Sequence, residues 1–385
     1  MGMKMIEKTL EINDSFYTFL YLLMCGVEGK PPSSELLREM NMEDVYQISV
    51  YHTLSAMTYM ILEKGQDILE GEVFKNWKKE KDKAIRKNIL LDRERERIFA
   101  FMEEQGIWHM PLKGIILKEM YPAFGMRQMA DNDILYDSNF QKPLCIWMKE
   151  QGYKVISCGR GNHDVYEKKP VYNYEMHTAL YGGEHNPVWI TYYENIKEKL
   201  IADKKKKYSF HFTDEDFYIY IITHIYKHFA GSGTGIRSLL DVYIYLQAKE
   251  AIMNWDYINE ELEKVQVSDF EGKVRHLSQK VFSKELQKLT KKEEELLKYF
   301  LYSGTYGTLE NHVQHRLDQF ETDKKGYIIK RLVPDEEFYK NYVPFVYQHK
   351  WSRPFFIIFR LVRGLFRKDR RIMKEIKALK KAESR

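Results

Sequence analysis

Two aspartates one residue apart, Asp131-Asn132-Asp133, head a short apolar run, NDILYD. Side chains alternate faces along a β-strand, so Asp131 and Asp133 point the same way. Two carboxylates held that close repel each other, and both stay ionised most readily with a cation between them. Hard oxygen ligands of this kind suit Mg²⁺ or Mn²⁺, which complete their shells with water and substrate phosphates. A polar turn would use the same three residues, so the neighbours decide. Lys113 and Arg127 flank the pair and carry charge that neutralises phosphates. Gly114 opens a short helical stretch, where a missing side chain lets backbone amides approach an anion. A third carboxylate comes from VYNYEMHTALY. Its alternation sets Tyr172, Tyr174 and Met176 on one face and Asn173, Glu175 and His177 on the other. Glu175 either shares a metal with Asp131 and Asp133 or takes the proton of an attacking hydroxyl, and His177 shares its face.

These groups need rigid elements beneath them. IWHMPLKG reads as a short strand, GIILKEMYP as a short helix and NDILYD as a second strand. A helix over 140–151, a strand at YKVISC and two alternating runs in VYEKKPVYNYEMHTALY follow, making an α/β segment of about 80 residues. Residues 5–105 are helical by their apolar spacing, with Ser33 or Ser34 as a cap after GKPP. They close on a long charged helix over 75–100 whose charges form a solvated face. Helical texture returns after 214. In that section His224 and His228 lie at i, i+4, a spacing open to metal or to packing, and Arg237 and Asp241 form a helix pair. GSGTG lacks a following G-K-[ST] and reads as a flexible loop.

The bulk composition excludes several classes. With 385 residues, 44% hydrophobic and 30% charged, the chain has material for a large core and for two or three domains. Cys25, Cys145 and Cys158 form no C-x-x-C pair, so neither a disulfide framework nor a cysteine zinc site is expected, and a reducing cytoplasm fits. Neither a secretory leader nor a run of about 18 apolar residues is visible. The net charge of +5 is uneven: residues 351–385 hold twelve Lys/Arg against three Asp/Glu, which leaves the rest of the chain net acidic. That tail pairs Phe355, Phe356, Ile358, Phe359, Leu361, Val362, Leu365 and Phe366 with many basic residues. Its first half is expected to pack on the domain and its basic end to stay solvated, with an anionic membrane surface or nucleic acid as the other partners.

The Leu112-Lys113-Gly114, Tyr121-Pro122, Arg127 and Asp131-x-Asp133 block resembles the polymerase-β-type nucleotidyltransferases. Within them it is most similar to the uncharacterised nucleotidyltransferase family. Glu175-Met176-His177 matches that family's later strand, and His224, His228 and Arg237–Asp241 match its helical section. The resemblance implies an α+β fold: a small mixed-sheet core at 106–200, a helical N-terminal region at 1–105, a helical domain at 201–350 and a basic tail at 351–385. It implies in-line attack of a hydroxyl or phosphate acceptor on the α-phosphate of an NTP, with pyrophosphate leaving and Mg²⁺ or Mn²⁺ assisting. Asp131, Asp133 and Glu175 would hold the metal, and Lys113, Gly114, Arg127 and His177 the nucleotide. Ile115, where the superfamily prefers Gly or Ser, and Asn132, where the family usually has an apolar residue, depart from the pattern. A catalytically inactive, antitoxin-like binding member and a D-x-D glycosyltransferase are the competing classes. The latter needs a nucleotide-sugar domain upstream of Asp131, where the chain reads as helical.

Overall fold

A computed structural model describes residues 14–65, 70–183, 185–283, 286–305, 336, 339 and 343–366. The chain forms two compact units, Met1–Tyr226 with Gly235–Thr305, and Lys227–Thr234 with Tyr306–Arg385.

The first unit starts with α1 (Asp14–Glu28), α2 (Ser34–Arg38), α3 (Met42–Tyr51), α4 (Ser55–Leu62) and α5 (Glu72–Glu104). Ser33 is the α2 cap, its hydroxyl accepting from the Leu36 amide. Along the 33 residues of α5 the buried positions Trp77, Ala84, Asn88, Leu91, Ile98 and Met102 recur at helical spacing.

Five strands form the sheet: β1 (His109–Pro111), β2 (Asn132–Tyr136), β3 (Lys154–Ser157), β4 (His163–Lys168) and β5 (Tyr172–His177). Their order is β1-β2-β5-β4-β3. β2 and β5 run parallel and every other pair is antiparallel, so the sheet is mixed. Between β1 and β2 lies α6 (Gly114–Leu117), and between β2 and β3 lies α7 (Gln141–Glu150). One sheet face is apolar: Ile134, Tyr136, Tyr166, Tyr174 and Met176 pack with Leu91, Ile98 and Met102 of α5 and with Leu144 and Met148 of α7. Period-2 alternation then sends Asp133, Glu175 and His177 to the opposite face. The fold is α+β, a mixed-sheet core flanked by helices.

After α8 (Pro187–Tyr192) comes a two-stranded hairpin, β6 (Ile201–Ala202) and β7 (Phe210–His211). The helices α9 (Asp214–Phe229), α10 (Ile236–Lys249), α11 (Trp255–Lys264), α12 (Ser268–Val281) and α13 (Lys291–Ser303) follow. Thr290 and Glu293 cap α13 reciprocally. Cys25, Cys145 and Cys158 are all free thiols.

In the second unit, α14 (Pro344–Gln348) and α15 (Arg353–Phe366) are described. Arg353 pairs with Glu336 at 2.7 Å, and Phe356 meets the Tyr339 ring edge-on. Trp351, Phe355, Ile358 and Phe359 stand exposed. Of the tail's apolar stripe, Phe356 is half-buried, while Phe355, Ile358 and Phe359 keep more than half of their surface in solvent. The basic end, 367–385, lies outside the described residues. No helix among the described residues is long and apolar enough to cross a membrane.

Candidate active site

Parallel pairing of β2 with β5 places Asp133 directly beside Glu175 and Leu135 beside His177. Nε2 of His177 lies 2.9 Å from Oδ1 of Asp133 and 3.8 Å from Oε2 of Glu175. Ligating atoms of Asp133, Glu175 and His177 all fall within 4.8 Å of one another. The sequence grouped Asp131 with Asp133 and Glu175. In the structure Asp131 stands just ahead of β2, outside this tight set, and interacts with Asp133 through its charge. His177, which the sequence set on the nucleotide, lies with the carboxylates.

Lys113 is the cation of the cluster. Its Nζ is 2.5 Å from Oδ1 of Asp133, and it also feels Glu175 and Asp131. Its backbone sits at φ 47°, ψ −116°, a region that a side chain makes costly. The turn that follows closes on itself: the amides of Ile115, Ile116 and Leu117 donate to Leu112 and Lys113 carbonyls. With four residues, α6 offers those three amides to the chain itself and not to an anion.

The electrostatics sort the group. Burial opposes the charges of Lys113 and Asp133, yet each holds the other ionised: Lys113 lies above the usual lysine range, and Lys113 with His177 keeps Asp133 below the carboxylate range. Burial, then repulsion from Asp133, pushes Glu175 up to about 7. Asp131 is raised for the same two reasons. Burial takes His177 down to about 4, against the pull of Asp133, so the ring is neutral. A neutral ring that donates from Nε2 to Asp133 leaves Nδ1 a bare lone pair, and Nδ1 is buried without a partner.

Arg127 points elsewhere. Its Nε and Nη2 donate to the two oxygens of Asp241 at 2.8 Å each, and the Tyr121 hydroxyl adds a third bond of 2.7 Å. The sequence paired Asp241 with Arg237 along one helix. The structure instead gives both Asp241 oxygens to residues more than a hundred positions away, while Arg237 donates to Thr53 at 2.8 Å. Gly114 belongs to this clamp, because a Cβ there would collide with Nη1 of Arg127.

Helix α5 does more than present charges to solvent, as the sequence suggested. Lys87 donates to the Ala130 carbonyl at 2.7 Å, Asn88 to the Arg127 carbonyl at 3.1 Å and Arg95 to Oδ1 of Asn132 at 3.1 Å. Lys118 pairs with Asp92. One face of α5 thus grips the segment carrying the aspartates. Its signal was the i, i+4 recurrence of Lys87/Leu91/Arg95 and Asn88/Asp92. Asn132 is turned to this side, away from Asp133, and Ile115 is buried in the core cluster. Neither departure from the superfamily pattern reaches the acidic cluster. His224 packs near Tyr220 with ring centroids 6.1 Å apart, and His228 lies one turn further along α9.

A family model described as uncharacterised nucleotidyltransferase matches residues 38–283. The chain belongs to this family. The matched span takes in α5, the sheet, the acidic cluster and the Asp241 clamp of this nucleotidyltransferase. No curated protein and no solved structure matches it. Of the family block, Gly114, Tyr121 and Arg127 form a structural clamp with Asp241, while Lys113 and Asp133 face Glu175 and His177.

Proposed function

We propose that this nucleotidyltransferase moves an NMP from an NTP to a hydroxyl or phosphate acceptor at the Asp133–Glu175–His177 cluster, releasing pyrophosphate. The carrying observation is the grouping of two carboxylates and one imidazole with ligating atoms within 4.8 Å, backed by Lys113. That donor set fits a divalent cation. Two hard oxygens suit Mg²⁺ or Mn²⁺, and the nitrogen is better matched to Mn²⁺. Nε2 of His177, which donates to Asp133 here, would ligate the ion as the lone-pair nitrogen of the other tautomer, with the proton carried on the unpartnered Nδ1. When bound, the ion would supply charge neutralisation at the phosphates and acidify an attacking hydroxyl.

The chain's own groups do the rest. Glu175, pushed up to about 7, accepts the acceptor's proton near neutral pH. The acceptor oxygen forms a bond to the α-phosphorus while the α–β bridging P–O bond breaks, and pyrophosphate carries away that electron pair. Lys113 is the ammonium within reach of the triphosphate. Asp131 adds negative charge beside Asp133 and supports the cation. Arg127, tied to Asp241, positions the turn and does not contact the nucleotide. Residues 72–104 upstream of the sheet form one helix, so a nucleotide-sugar domain of the glycosyltransferase kind is not found there.

The test is incubation of the full-length protein with α-³²P-labelled NTPs, Mg²⁺ or Mn²⁺ and a cell extract, followed by Asp131→Asn and Glu175→Gln. A labelled product that both substitutions abolish supports the reading. Transfer at the wild-type rate by the doubly substituted protein sinks it, and so does the absence of any metal-dependent NTP binding.

A further inference from the structure

Lys113 does more than flank the acidic cluster; its ammonium sits where a cation would. Nζ lies 2.5 Å from Oδ1 of Asp133, with Glu175 and Asp131 close enough to stabilise its charge. The side chain is mostly shielded from water, and Asp133 is more so. An ammonium in that setting contributes strongly to keeping the neighbouring carboxylates together. The backbone gives independent testimony. At φ 47°, ψ −116°, Lys113 occupies a conformation open mainly to glycine, with a cost of roughly 1–3 kcal/mol for other residues. Gly114 next door, where free choice of φ would be cheap, is not among the positive-φ residues. The strain thus falls on the residue that places an ammonium among carboxylates.

We propose that Lys113 is a built-in cation that a divalent ion must displace from Asp133, so that metal enters with the nucleotide and not ahead of it. On Asp133, Oδ1 accepts from both Lys113 and His177; a metal arriving alone must compete with both donors for that oxygen, and at Oδ2 it must still meet the charge of the Lys113 ammonium on the same carboxylate. A triphosphate changes that competition. Its anionic oxygens offer Lys113 a new partner, and removal of the ammonium frees Asp133 for the ion that accompanies the nucleotide. The coupling is reciprocal: nucleotide strengthens metal binding by the same factor as metal strengthens nucleotide binding. The consequence is a site protected from idle metal loading. The inference rests on the proposed metal-dependent reading of the cluster.

The experiment is Mn²⁺ titration of the full-length protein, with free Mn²⁺ read by electron paramagnetic resonance, alone and with an α,β-methylene NTP. Wild-type protein should bind Mn²⁺ at least tenfold more tightly with the analogue than without it. Lys113→Met should bind Mn²⁺ alone at least tenfold more tightly than wild type, and should gain little from the analogue. Lys113→Gly, which also relieves the backbone, should behave the same way and covers the case in which the Met variant does not fold; circular dichroism checks both. Wild-type protein that binds Mn²⁺ equally with and without the analogue overturns the inference. So do folded Lys113 variants with unchanged affinity for Mn²⁺ alone, while metal binding dependent on the analogue leaves the functional reading standing. Absence of Mn²⁺ binding in every protein and condition overturns both.

Discussion

Gly114 and Arg127 fit together as socket and guanidinium: a Cβ built on Gly114 would lie well inside 3.0 Å of Nη1 of Arg127, with Met129 Sδ at 3.0 Å behind it. Two residues that the sequence assigned to a phosphate are thus in contact with each other, and the guanidinium is spent on Asp241. Gly114→Ala must push Arg127 off its carboxylate or shift the Lys113 turn. The expected loss is about 1–3 kcal/mol, the range of overpacking in a close-packed interior. Urea denaturation measures it, and a double-mutant cycle with Arg127→Met should show strong coupling. Additive losses would mean that the glycine serves something other than Arg127.

Asp241 is the second half of that clamp. It accepts three hydrogen bonds from Arg127 and Tyr121, all buried. Removing one member of a buried ion pair strands the other charge, so Asp241→Ala should cost about 3–5 kcal/mol. Replacing the pair with Arg127→Met and Asp241→Leu together should recover much of the loss. If transfer activity also returns in the double variant, Arg127 acts by position. If stability returns without activity, the guanidinium has a direct part in the reaction.

The contrast between β5 and Arg127 shows what the sequence made legible. Strand alternation is local and has a fixed period, so the sharing of one face by Glu175 and His177 was readable from VYNYEMHTALY alone. The pairing of Asp133 with Glu175 required only that two short strands lie side by side. Asp241 lies 114 positions from Arg127, and nothing in spacing or composition links a charge in one helix to a loop that distant. The split among Asp131, Asn132 and Asp133 was also hidden. Alternation separates Asn132 from its neighbours, but the Arg95 that receives it lies on a helix whose charges look like any solvated face. Lys113 was recognised as a cation. Its attachment to Asp133 depends on a backbone conformation that no propensity for lysine favours.

Asp131 and Asp133 should separate on substitution although they are near neighbours. Asp131 is half-buried and Asp133 is buried against Lys113 and His177. Asp131→Asn should keep wild-type stability and lose metal-dependent nucleotide binding by at least tenfold. Asp133→Asn should lose binding and also a few kcal/mol of stability, because Lys113 then stays buried with a weaker partner. Calorimetric titration with NTP and Mn²⁺, run beside thermal unfolding, distinguishes the two. Equal stability losses would place both aspartates in the same environment, contrary to the structure.

Glu175 sets a direction for the pH dependence of transfer. As a base it must be ionised, and burial with repulsion from Asp133 pushes it up to about 7, so kcat/KM should rise with pH through that region. A bound divalent ion favours the ionised form and moves this limb to lower pH. The expected outcome is an acidic limb that shifts downward as Mn²⁺ is raised and disappears in Glu175→Gln, where residual transfer is slow and flat. A limb unmoved by the substitution would assign the proton to another group.

His52 supplies the clearest pH dependence of the fold itself. Its Nε2 lies 3.1 Å from the Leu301 carbonyl, its Nδ1 is buried without a partner and its ring stacks on Phe19 at 5.4 Å. Burial lowers it from 6.5 to about 4. The folded protein therefore refuses a proton that the unfolded chain accepts below pH 6.5. Stability from this residue is fully present above 6.5 and is lost as pH falls toward 4, by roughly 1.4 kcal/mol per unit at most. His177, also lowered to about 4, acts in the same sense, and Asp133 adds its own loss once pH drops below the ordinary carboxylate range. Urea midpoints at pH 7.5 and pH 5 should differ more for wild type than for His52→Asn, which trades a titrating ring for a neutral amide. Identical differences in the two proteins would show that His52 takes up its proton as readily in the folded protein as in the unfolded chain.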